Sequence, residues 1–268
     1  METDLTRLLQ QLQHEPGVLV RVARVEGSGP REAGAWIAVF ADKQTGTIGG
    51  GQLEWQLTAH ARAALRGEAL VSPQRHALGP SLGQCCGGVV HVALEKVTFA
   101  DAGRLQRELS ASQSPVALFG GGHVGTALVQ ALAPLPFALT WIDSRDGIFP
   151  AEVPPQVSCE HSDPVHLAVN DLVAGSAVLI MSFSHAEDLD VVAQCLLRQR
   201  DNNDLPWIGL IGSKTKWASF RHRLEARGFS AEELDRVTCP IGLPGIQGKQ
   251  PAVIAASVTA QLLQVFGR

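Results

Sequence analysis

The stretch Phe119-Gly120-Gly121-Gly122-His123-Val124-Gly125 leaves this chain few ways to fold locally. An apolar run at 116–119 precedes it, and an apolar-periodic segment at 124–133 follows. That order is strand, tight turn, helix, and the glycines fall as G-x-G-x-x-G. About twenty residues on, a second apolar run (138–142) ends in Asp143, the order of a dinucleotide-type βαβ unit. In such a unit, amides at the helix start hold a phosphate, aided by the helix dipole. Gly120, Gly122 and Gly125 are therefore candidate binding positions. A strand–helix corner packed too closely for any side chain would ask for glycine as well. His123 either adds a donor toward a phosphate or is simply a polar residue at a helix start. Asp143 is expected to accept from a ribose hydroxyl, while Arg145 leaves open a phosphate-bearing ligand instead.

Beyond this turn the second half keeps alternating. Apolar strands are expected at 177–182 and 207–211, and helices at 189–200, 214–227 and 251–266. Ser230 with Glu233 suits a capping box for a further short helix. Such alternation implies a mostly parallel sheet with helices on both faces. The first half reads differently: helix 3–13, strands 18–25 and 36–40, a turn at 41–46, helix 53–66, strands 70–78 and 89–97, and helix 101–112. Ser112-Gln113-Ser114-Pro115 is polar, contains proline and marks the domain boundary. The expected class is α/β: a small N-terminal α/β domain over residues 1–112, then a Rossmann-like parallel-sheet domain over 113–268. At about 150 residues per domain, 268 residues accommodate both.

The formal net charge is −4 with no dense Lys/Arg block, so neither nucleic acid nor an anionic membrane is expected as a partner. The opening Met1-Glu2-Thr3-Asp4-Leu5 has no basic n-region or long apolar segment of a signal peptide. The most apolar late stretch, 252–266, is interrupted by Ser257, Thr259, Gln261 and Gln264, so it does not read as a membrane span. The expected location is the cytoplasm, with the five cysteines reduced.

Three other groups could carry chemistry. Gly49-Gly50-Gly51 before a helix implies close backbone approach, with Gly50 and Glu54 the residues of interest. Cys85-Cys86, set between Gly83 and Gly87-Gly88, cannot readily bridge to itself. Thiols among backbone amides suit a soft metal or a sulfur ligand, and buried structural cysteines are the plain alternative. Ser184-His185 lies at a carboxyl end of the sheet, where α/β ligands bind. His185 is a candidate for a polar contact or proton transfer, unless Ser184 merely caps a helix there. Cys159, His161 and His166 are close in sequence, but their spacing fits no helical metal pair and solvent-facing loop positions are expected. There is no Walker A loop and no G-x-S-x-G elbow.

Taken together, several stretches resemble one family. Gly27-Ser28-Gly29-Pro30-Arg31, Gly49-Gly50-Gly51 with Glu54, and Cys86-Gly87-Gly88 are similar to the N-terminal signature of the xanthine dehydrogenase accessory proteins, the XdhC/CoxI family. Phe119 to Gly125, Trp141-Ile142-Asp143-Ser144-Arg145, His185 and Ile208 to Ser213 resemble its Rossmann half, and Cys239 to Pro244 its element before the last helix. The doublet Cys85-Cys86 looks like the XdhC branch. The resemblance implies a carrier rather than an enzyme. Such a carrier binds the molybdenum cofactor (molybdopterin), protects it, holds it for sulfuration by a cysteine desulfurase and inserts it into xanthine dehydrogenase. It implies cofactor donor proteins as further partners, and a homodimer. On this reading Cys85 and Cys86 meet a metal only through the molybdenum of the bound cofactor. Arg31 pairs with a phosphate or pterin oxygen, and Gly120, Gly122, His123 and Gly125 hold the phosphate side. Gly50, Glu54, Asp143 and His185 complete the set. The competing reading is an NAD(P)-dependent oxidoreductase using the Gly120–Gly125 fingerprint, with His185 as acid/base. A third is a protein adaptor whose Rossmann half binds nothing.

Overall fold

The computed structural model describes residues 4–79, 87–110, 113–154 and 156–267. The chain divides into two compact units, residues 2–112 and residues 113–268.

In the first unit, α1 (Asp4–Leu12) leads into β1 (Gly17–Glu26), β2 (Trp36–Val39) and β3 (Gln44–Gly46). Then come α2 (Gly51–Leu65), β4 (Gln74–Ala77), β5 (Val89–Val97) and α3 (Ala102–Ser110). The five strands form one antiparallel sheet in the order β3-β2-β1-β5-β4. Period-two alternation divides β1 between two cores. Val18, Val20 and Val22 pack with Leu53, Leu57 and Ala61 of α2, whereas Leu19 packs with Leu8 and Leu12 of α1 and Leu105 of α3. Both faces of the sheet are thus covered, which is why β1 opens with four buried residues in a row. Two sequence expectations are corrected here. Residues 44–46 of the expected turn form β3, pairing with β2 from Ile37 to Val39. The strand expected over 70–78 begins only at Gln74; ahead of it Ser72 uses its side chain rather than its backbone, its Oγ accepting from Leu94 N–H at 2.9 Å.

The second unit is doubly wound. Its elements are β6 (Ser114–Phe119), α4 (His123–Leu132), β7 (Phe137–Asp143), β8 (Val157–His161), β9 (Ala177–Ile180), α5 (His185–Asp201) and β10 (Trp207–Leu210). They continue with α6 (Lys214–Glu225), α7 (Ala231–Leu234), β11 (Val237–Thr238) and α8 (Pro251–Val265). All six strands are parallel, in the order β11-β10-β9-β6-β7-β8. Chain progress reverses direction at β6, the topological switch point beside which ligands bind in such sheets. Val116 and Leu118 of β6 face α4 and α8, while Ala117 and Phe119 face α5 and α6. The sequence reading lacked β8 and β11. Val-Ser-Cys-Glu-His has little β-propensity, and its place at the sheet edge leaves Ser158, Cys159 and His161 exposed. Cys159 and His161 are accordingly strand residues rather than loop residues. Helix α5 starts at His185, four residues before the expected 189, because polar Glu187 and Asp188 serve its first turn.

Candidate functional site

In the first unit, motifs far apart in sequence meet at one place. The Leu78 N–H donates to Gly88 O at 2.8 Å, joining the described residues on either side of the segment that contains Cys85 and Cys86. Both cysteines lie outside the described residues. Gly88 is pressed onto the turn after β1: a Cβ there would sit 2.3 Å from Ser28 O and 2.5 Å from Glu26 O. Pro30 of the same turn lies against Gly49, where a Cβ would come within 2.5 Å of the proline ring. Arg31 reaches Thr47 O at 3.5 Å through Nη1 and pairs with Glu32 at 2.9 Å through Nη2. The hydrogen bond to Glu32 holds the guanidinium pKa above its ordinary value, against the effect of burial. Glu54, in the first turn of α2, folds back onto the glycine loop. Its Oε2 accepts from Thr47 Oγ1 at 2.6 Å, Ile48 N at 2.9 Å and Gly50 N at 3.1 Å. A carboxylate here stabilises backbone amides that would otherwise be unpaired at a helix start. Gly50 has φ +72° and a Cβ would meet open space, so the backbone conformation rather than crowding demands glycine.

In the second unit the glycine turn divides by role. Gly120 has φ +124°, and its Cβ would lie 2.1 Å from Met181 O. On Gly125 a Cβ would lie 2.0 Å from Gly120 O. Gly121 is crowded by Ile148, at 2.8 Å from the Cβ position. The chain itself needs these three to be glycine. Gly122 is different: it is exposed, has φ −74°, precedes α4 without a side-chain cap, and a Cβ on it would meet nothing within 4 Å. Among the described residues nothing requires glycine at that point, and the helix start has no side-chain cap, which leaves room for an anion at its amides. His123 follows as the exposed first residue of α4.

Asp143 stands at the end of β7 and is 2% exposed. Its Oδ2 accepts from Gly121 N at 2.5 Å and Arg145 Nη2 at 2.9 Å; its Oδ1 accepts from Arg145 N and Nε, both at 2.9 Å. Burial alone would raise this carboxyl's pKa, but the hydrogen bonds from Arg145 and Gly121 outweigh it and hold the group below the usual range. All four acceptor positions face the chain's own donors, so the ribose hydroxyl expected from sequence finds no vacant lone pair. The Arg145 guanidinium lies 4.5 Å from the centre of the Phe183 ring. Glu187 links the two strand ends, accepting from Ser144 Oγ at 2.9 Å and Phe183 N at 3.1 Å.

His185 is the exposed first residue of α5, with Ser184 as the cap whose Oγ accepts from Glu187 N at 3.2 Å. Its ring meets Phe220 edge-on at 6.2 Å. Sequence reading overlooked the buried pair beside it. Lys216 Nζ donates to Asp188 Oδ2 at 2.6 Å and Ile211 O at 2.8 Å, and Asp188 Oδ1 accepts from Ser182 N at 2.7 Å. The signal available was a lysine two residues into a helix that follows the strand-end Gly212; Gly212-Ser213-Lys214-Thr215, which lacks the Walker A pattern, ends one residue before it. Ser182 Oγ is buried without a partner among the described residues. Cys159, His161 and His166 do not gather: no cluster able to hold a metal occurs among the described residues, and His161 Nε2 is engaged with Ser144 O at 3.0 Å. No helix among the described residues is long and apolar enough to cross a membrane.

An antiparallel-sheet unit with convergent glycine turns, followed by a doubly wound parallel-sheet unit with a G-x-G-x-x-G turn after its first strand, defines a two-unit protein with a Rossmann-like second half. Residues 116–262 match the XdhC Rossmann domain, and residues 11–72 match the XdhC and CoxI family. The chain belongs to that family. It is similar to YqeB, an uncharacterised protein of Escherichia coli (strain K12), with 25% identity over 257 residues. That alignment takes in 94% of this chain but 44% of YqeB, so the chain spans less than half the length of this curated relative. Its fold resembles that of a Bacillus halodurans protein described as a xanthine dehydrogenase. The TM-score is 0.76 at 22% identity, covering 100% of this chain and 96% of that one.

Proposed function

We propose that this protein is a carrier of the molybdenum cofactor that serves xanthine dehydrogenase maturation. The observation that carries the reading is the meeting of Gly27–Arg31, Gly49–Glu54 and Gly88, the last of which follows Cys85-Cys86 closely in sequence. Membership of the XdhC and CoxI family supports it. The residues fit the group by chemistry. Thiolates are soft ligands, suited to molybdenum and to sulfur exchange. Arg31 brings to that meeting point a guanidinium whose Nε and Nη2 edge is paired with Glu32, so a phosphate or pterin oxygen would take the place of that exposed carboxylate. Gly122 leaves a side-chain-sized space at uncapped helix amides, which suits a phosphate. When bound, the cofactor supplies the metal centre that the recipient enzyme uses. This chain's own residues hold the phosphate, present thiols and keep the loops in register. Its partners on this reading are xanthine dehydrogenase, a cysteine desulfurase and the proteins that hand over the cofactor, and it works as a homodimer in the cytoplasm. An Asp143 carboxylate engaged by Gly121 and Arg145, with the His185 ring packed edge-on against Phe220, gives the oxidoreductase reading little support.

The test uses Cys85→Ala and Cys86→Ala. Bound molybdopterin is measured by fluorescence after oxidation, and reactivation of cofactor-free xanthine dehydrogenase is followed by activity. At least one variant is expected to lose retention or reactivation. If both match the parent in both assays, the thiol assignment is wrong.

A further inference from the structure

A single cluster ties together the loops after β7 and β9, the strands flanking β6. Asp143 grips Arg145 through Nε and Nη2, Phe183 lies under the guanidinium plane, and Glu187 joins Ser144 to Phe183 N. In a Rossmann unit this strand end is where an acid accepts a ribose diol, or where an arginine accommodates a phosphate instead. Here the acid is present but sealed. Both Asp143 oxygens carry two donors each, and the side chain is 1% exposed.

The arginine is sealed on one edge only. Of its five N–H groups, one on Nε and one on Nη2 face Asp143. The two on Nη1 and the second on Nη2 have no hydrogen-bond partner among the described residues, and the side chain is 32% exposed. A guanidinium held by a carboxylate behind and an aromatic ring at its face is pre-organised, so little rotamer freedom remains to be lost on binding. Phe183 is 65% exposed, and its stacking on Arg145 accounts for an aromatic ring at the surface there. The remaining negative charge, Glu187, accepts from two neutral donors in the first turn of α5, where the helix dipole offsets it.

We propose that Arg145 is the specificity-determining residue of the Rossmann unit, selecting a ligand that presents a phosphate monoester at the end of β7 and rejecting one that presents a ribose diol. This rests on the carrier reading only in supposing that the unit binds a phosphate-bearing ligand. Phe183 is a positioning residue: it acts through the guanidinium.

NAD+ and NADP+ are suitable probes because they differ by one phosphate monoester. Binding of each is measured by calorimetry to the full chain, with molybdopterin retention measured on the same preparations. NADP+ is expected to bind at least about tenfold more tightly than NAD+, the scale of one charge-assisted hydrogen-bond pair. Arg145→Lys keeps the charge but loses the fork, and should reduce that ratio to about two or less. Phe183→Ala, a surface change that leaves folding intact, should reduce it severalfold with no change in melting temperature. Equal binding of the two probes overturns the proposal. So does a ratio unchanged in folded Arg145→Lys and Phe183→Ala, or failure of both probes to bind. Retained pterin with no NADP+ preference removes the Arg145 assignment and leaves the carrier reading standing; the preference without retained pterin does the reverse.

Discussion

Trp141 donates its indole N–H to the carbonyl of Gly120 at 2.9 Å. The same carbonyl oxygen lies 2.0 Å from where a Cβ on Gly125 would be. One buried ring from β7 thus fixes the first glycine of the turn, and the third glycine closes over that oxygen. The turn is held from inside the unit, independent of any ligand.

Replacing Trp141 with phenylalanine should therefore cost more than area alone. The side chain is 1% exposed, so the change leaves a void and an unpaired carbonyl. A loss of about 2–4 kcal/mol is expected. Urea unfolding checks it, and a loss below about 1 kcal/mol would contradict the central place given to this bond.

The glycines should separate by substitution. Gly125→Ala drives a methyl into Gly120 O and should destabilise by about 2–3 kcal/mol or more. Gly122→Ser meets open space and supplies a helix cap, so it should be neutral or stabilising by about 0.3 kcal/mol. That serine would occupy the amides offered to a phosphate, so ligand retention should fall while stability does not. Thermal melting and pterin retention on both variants distinguish a packing glycine from a binding one.

The Lys216–Asp188 pair is buried on both sides. Lys216→Met leaves Asp188, among the described residues, with the Ser182 amide alone and should cost about 3–5 kcal/mol. Adding Asp188→Leu should recover part of that, giving a coupling of about 1–3 kcal/mol in a double-mutant cycle. Simple additivity of the two changes would mean the pair does not act as a unit.

Glu233 caps α7 and accepts from Arg200 and Ser230 N. The Arg200 hydrogen bond, then that of Ser230, lowers its pKa to about 2. A depressed folded pKa means the stabilisation is complete above the ordinary value near 4.5 and is lost as pH falls toward 2. Urea midpoints across that window should fall more steeply for the parent than for Glu233→Gln, and parallel curves would remove Glu233 from the acid response.

Cysteine reactivity should be uneven. Burial pushes the Cys239 thiol up to about 11 and raises that of Cys195 as well. Iodoacetamide at pH 7.5 should leave both unmodified in the native protein, since the thiolate is the nucleophile. Peptide mapping that finds buried Cys195 or half-buried Cys239 labelled before unfolding would contradict the raised thiol pKa values.

The sequence by itself determined the strand–turn–helix at 116–132, the parallel unit around it and the capping box at Ser230, because each follows from local periodicity and short-range turn chemistry. It also supplied the motif residues of the first unit as separate pieces. Their meeting at Gly88, Ser28, Pro30 and Gly49 belongs to the tertiary structure, since antiparallel pairing of β1 with β5 brings together residues some sixty positions apart. The edge strands β8 and β11 stayed hidden because only an existing neighbour gives such weak segments their hydrogen bonds. Asp143 marks the division most sharply. Its position was legible as the acid at a strand end, but its partners were decided only when the fold laid Gly121 and Arg145 against it. A carboxylate's role depends on which donors reach it first, and here the chain's own donors occupy every lone pair.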